Sequence, residues 1–79
     1  MSYNTHKQFA LDTTKPLPHR ASHARSCAVH VSEKLRVHRD EIIQRVKQMS
    51  GVDLTAVSAD HELPRAIASL DQLRLPGSL

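Results

Sequence analysis

PHRASHARSCAVHVSEKLRVHRDEIIQRVKQMSG, residues 18–51, holds seven of the eleven lysines and arginines and four of the six histidines of this 79-residue chain. Within it Ala28, Val31, Leu35, Ile42, Val46 and Met49 recur at steps of three, four, seven, four and three. At about 100° per residue they fall within roughly 60° of arc, which is the signature of an amphipathic helix. Val29 and Ile43 widen this stripe on one flank, and His38 and Arg45 border it on the other. Glu33, Asp40, Glu41, Gln44, Lys47 and Gln48 form the opposite, polar arc. Pro18 suits a first helical position because its missing N–H would be unbonded there anyway, and Ser22 offers a second, side-chain-capped start. Gly51 suits a left-handed stop. The pattern predicts one long helix over residues 18–50.

The flanks divide the chain. Residues 1–17 are mostly polar and end in the spaced prolines Pro16 and Pro18, so they read as a flexible leader. Residues 18–79 read as a small helical domain. After the long helix, Asp53 is placed to cap a short helix over about residues 53–63, with Leu54 and Val57 inward. Pro64 breaks it. Ile67, Leu70 and Leu73 recur every third residue and predict a last short helix over about residues 65–75, ended by Pro76-Gly77. The fold class is therefore all-α, one long helix with short helices packed back on it.

Composition narrows the function. The only aromatic residues are Tyr3 and Phe9, so packing rests on aliphatic side chains, and the single cysteine excludes an internal disulfide. A core so small needs support from a second subunit, a partner or a metal. Neither a signal-peptide run nor a stretch of eighteen apolar residues is present, so no membrane association is expected. Together with the lone cysteine this predicts a cytoplasmic protein.

The segment charges are uneven: +1 for the leader, +4 for residues 18–51 and −2 for residues 52–79. Either the acidic tail neutralises the basic helix, or that helix meets an acidic partner. The second reading gives a non-enzymatic regulator or adaptor that lays its stripe into an acidic or apolar groove of another protein, or pairs with a second copy of itself. Leu35, Ile42, Val46 and Met49 are the expected anchors, with Arg39 and Arg45 at the rim.

Two alternatives stand beside it. Cys27 to Val31 alternates small or apolar with polar residues and could be a strand, with Ser32 capping a shorter helix. Strand, helix, glycine and second helix over about residues 25–63 resembles the ribbon-helix-helix DNA-binding family. That resemblance implies a dimeric regulator, and a sequence pI near 9.5 favours phosphate contact. Arg25, Lys34, Arg36, Arg39 and Lys47 would touch nucleic acid. A helix from Glu33 to Ser50 is long for that fold and Pro64 would cut its second helix short, so the continuous helix is carried forward.

The other alternative is metal binding. His19, His23, Cys27 and His30 lie at i, i+4, i+8 and i+11, on one side of a continuous helix. Imidazole and thiolate are ligands for zinc, copper or nickel, but four ligands strung over about 16 Å of helix cannot share one ion. No cofactor is therefore expected, and a metal site would need groups from elsewhere. His38-Arg39-Asp40 matches the letters of the protein-kinase catalytic-loop tripeptide, yet Arg45 stands where that motif needs a downstream Asn, and 79 residues cannot build the two lobes that hold nucleotide. No enzymatic activity is expected.

Overall fold

Residues 1–76 are described by the computed structural model, and they form four α-helices and no strand: α1 (Tyr3–Leu11), α2 (Leu17–Leu35), α3 (Arg39–Ser50) and α4 (Glu62–Leu73). The second helix is central and touches each of the other three. The segment Cys27 to Val31 is helical, inside α2, so the strand that the ribbon-helix-helix resemblance requires is absent.

The predicted long helix is two helices. At Arg36 the chain turns into the left-handed conformation (φ 57°, ψ 43°), and the Val37 N–H reaches back to Ser32 O at 3.0 Å. This closes the end of α2 as a glycine usually does. His38 then starts α3: its Nδ1 accepts the Asp40 N–H at 3.1 Å, and Asp40 and Glu41 place negative charge in the first turn. Burial explains the break. A straight helix over residues 18–50 would run about 50 Å and leave its stripe uncovered, whereas the longest dimension of the molecule is 34 Å. Folding at Arg36 lays Ile42 and Val46, both fully buried, into one core with Ala24, Cys27, Ala28 and Val31 of α2.

The expected leader is also a helix. Ser2 caps α1 by accepting the Thr5 N–H, and side chains at the end of α4, distant in sequence, hold it in place. The Tyr3 hydroxyl donates to Asp71 Oδ1 and Lys7 Nζ to Asp71 Oδ2, each at 2.7 Å, while the Arg74 guanidinium lies 3.7 Å from the Tyr3 ring centre. Arg20 of α2 is 2% exposed and joins two more segments, donating through Nε to Ala10 O at the end of α1 and through Nη1 to Asp60 in the loop before α4.

No helix forms at 53–61. The Asp53 side chain accepts from both the backbone and the hydroxyl of Thr55, making a tight turn in place of a cap. Val52 and Leu54 enter the core, and Arg25 Nη1 donates to Leu54 O at 3.1 Å. The last helix begins earlier than the prolines imply, because Pro64 is its third residue, where a missing N–H costs nothing. Glu62 Oε1 accepts from the Ser58 N–H, the Ser58 hydroxyl and the Ala59 N–H, fixing the entry to this helix. Ile67, Leu70 and Leu73 are buried as their spacing predicts. The helix ends at Leu73, before Pro76; Gly77, the other half of the predicted stop, lies outside the described residues.

A radius of gyration of 11.3 Å is close to the roughly 11.6 Å of a compact chain of this length. The accessible surface of 4696 Å² likewise matches the roughly 4,800 Å² of a globular monomer of this mass. Four docked helices thus cover most of the stripe that a single long helix would expose.

Candidate functional site

Between α3 and α4 lies a groove of about 280 Å³ lined by Arg45, Gln48, Met49, Gln72 and Leu73. Small-molecule sites usually run from about 300 to 1,000 Å³, so this space suits one or two side chains better than an enclosed substrate. Leu73 is buried and gives the groove an apolar wall, while Met49, 43% exposed, stands open to solvent. The Nε of Arg45 is shielded from water and makes no hydrogen bond, with the Glu41 carboxylate paired to it at 3.6 Å. A thioether, a leucine and a guanidinium side by side can take an apolar side chain next to a carboxylate.

Of the six expected protein-binding residues, four anchors and two at the rim, only Arg45 and Met49 meet here. Ile42 and Val46 are wholly inside the core and cannot contact another molecule in the folded state. Leu35 is half-buried against that core, and Arg39 stands at the exposed start of α3, 3.9 Å from the Asp40 carboxylate. Leu73 and Gln72 complete the groove from a helix 24 or more residues later in the chain than Gln48, a proximity that only the fold creates.

The basic residues expected at nucleic acid are divided. Arg25 holds the Leu54 carbonyl, and Lys34 donates to Arg74 O at 2.9 Å, closing α2 onto the end of α4. Arg36 and Lys47 are exposed, at the end of α2 and in the last turn of α3.

The histidine row is rearranged. Cys27 is fully buried with Sγ 3.8 Å from Tyr3 O, and burial, with Asp71 nearby, pushes its thiol up to about 12. It is packed as a core residue. His19 is exposed. His23 and His30 instead face His6 of α1, a residue outside the expected set. His6 Nδ1 and His23 Nδ1 are 2.8 Å apart, and the His6 and His30 rings are centred 5.4 Å apart. Desolvation first, then His23, His30 and the α-amino group, hold the His6 imidazole below its ordinary pKa. Among the described residues, no group of three or more His, Cys, Asp or Glu side chains is gathered to hold one ion.

No helix among the described residues is long and apolar enough to cross a membrane. No protein-family model matches the chain, and no curated protein or solved structure matches it either.

Proposed function

We propose that this protein is a non-enzymatic interaction module, a regulator or adaptor, that binds an acidic amphipathic segment of another protein in the α3–α4 groove. The observation that carries this reading is Met49 standing exposed beside Arg45 over the buried Leu73. A leucine or methionine of the partner enters between Met49 and Leu73, and a carboxylate of the partner meets Arg45. The positive charge of residues 18–51 draws such a segment in. The ribbon-helix-helix reading has less support, because Arg25 and Lys34 bond to the chain's own carbonyls.

A photo-crosslinking residue placed at position 49 tests the proposal in a lysate of the native host, at high salt and after nuclease. We expect one protein to be crosslinked from position 49 and not from the exposed position 8 on α1, and its capture to fail in the Arg45→Glu variant. Recovery of nucleic acid alone, or equal crosslinking from both positions, would overturn it.

A further inference from the structure

The proposed interaction leaves the imidazoles between α1 and α2 without a role. His6 comes from the middle of α1, and His23 and His30 from α2, and all three are half-buried. The His6 ring is centred 5.0 Å from that of His23 and 5.4 Å from that of His30, and Phe9 stacks on His23 at 3.9 Å. The 2.8 Å between the Nδ1 atoms of His6 and His23 is a hydrogen bond, in which one ring donates its N–H and the other accepts on its lone pair. A first added proton enters at the free Nε2 of the donor ring and leaves a charge-assisted bond in place. A second can enter only at the accepting Nδ1, which ends the bond.

The surroundings resist that second charge. The α-amino group and His30 act on His6, Lys15 lies 5.8 Å from the Phe9 ring centre, and His19 precedes His23 by one turn. On the α4 side Asp71 is taken up by Lys7 and Tyr3, and Arg74 covers the Tyr3 ring. Glu33 follows His30 by three residues and is exposed, and α3 does not touch α1. Among the described residues none of the three imidazoles makes an ion pair with a carboxylate.

We propose that His6 and His23 form a proton-operated latch: sharing at most one added proton they hold α1 on α2, and with both charged they release α1 while α2, α3 and α4 stay docked. Two Nδ1–H groups at 2.8 Å replace a hydrogen bond by a like-charge contact. Desolvation first, and then its neighbours, hold the His6 imidazole below its ordinary value. The stability it contributes is therefore present above about pH 6.5 and lost as pH falls through the folded value. Release would bare Cys27, whose Sγ lies 3.8 Å from Tyr3 O. The α3–α4 groove has no α1 residue in its lining, so the latch works apart from the proposed docking.

The test follows amide hydrogen-exchange protection, corrected for the intrinsic pH dependence, together with the imidazole NMR signals from pH 7.5 to 5, above the ordinary carboxylate range. Protection in α1 should fall by at least about fivefold, the effect of one lost hydrogen bond, while α3 and α4 keep theirs. His6→Gln should abolish the fall, and His19→Gln should behave as the parent does. His38→Asn, which keeps a capping side chain on α3 without its titration, should also match the parent. Unchanged α1 protection in the parent, loss from all four helices together, or a parent-like fall in His6→Gln would overturn the proposal. Should His6→Gln loosen α1 at every pH, the parent decides: the fall must follow the titration of His6 and His23, and a fall that follows His19 or His38 contradicts the latch.

Discussion

Arg20 is the one charged side chain buried among the described residues, and it bonds to two separate segments. Its guanidinium is 2% exposed, while Asp60, which it meets at 2.7 Å, is 73% exposed. The two ends of this pair are therefore not equivalent. Removing Arg20 deletes a buried hydrogen bond to Ala10 O and leaves a void among α1, α2 and the loop before α4. Removing Asp60 leaves the guanidinium its bond to Ala10 O and access to water beside it. Arg20→Ala is expected to cost about 2–3 kcal/mol, and Asp60→Ala about 1 kcal/mol or less, by urea unfolding. Equal costs would show that the ion pair, and not the buried stem and carbonyl contact, sets the stability. Nothing in the sequence separates Arg20 from its six basic neighbours in the same stretch. Its burial arises because α1, invisible as a helix in the hydropathy pattern, ends with a carbonyl above it.

Helix boundaries show where local signals compete with burial. The stripe in residues 28–46 and the buried positions of α4 are legible because periodicity records which face meets the core. The break at Arg36 is not, since no glycine or proline marks it. Its signal lies two residues later, in His38 followed by Asp40 and Glu41, a capping residue with an acidic first turn. Arg36 is the one non-glycine residue with positive φ among those described. Arg36→Gly should therefore stabilise the protein by about 0.5–1 kcal/mol, seen as a higher urea midpoint; a lower midpoint would mean that the side chain contributes more than its backbone strain costs.

The entry to α4 makes a prediction in pH. Hydrogen bonds from Ser58, backbone first and hydroxyl next, and then from the Ala59 N–H hold the Glu62 carboxyl below its ordinary pKa. A group depressed in the folded state contributes stability above its unfolded pKa and loses it as pH falls through the folded value. The parent protein should lose stability on acidification below about pH 4.5, and Glu62→Gln should flatten that decline. An unchanged slope would place the acid sensitivity at the other depressed carboxylates, Asp12 and Asp53.

At the scale of the whole molecule, the four helices turn a stripe that reads as an interface into a core. The edge of the candidate site is legible, because Met49 belongs to the stripe and Arg45 borders it in the sequence itself. Its other wall, Leu73 and Gln72, is placed there by the fold, and His6 is not legible because residues 3–11 carry too little amphipathic pattern to read as a helix. Those residues are held instead by distant partners such as Asp71. In the proposed function Ile42 belongs to the fold and Met49 to the docking of the partner. The most direct measurement makes Ile42→Asp and Met49→Asp side by side and follows, for each, helix content on heating and capture of the crosslinked protein. The account predicts that Ile42→Asp, placing a charge at a fully buried position, loses its cooperative melting transition, while Met49→Asp melts as the parent does and captures nothing. A folded Ile42→Asp that has lost only its partner, or a Met49→Asp that still captures it, would contradict the account.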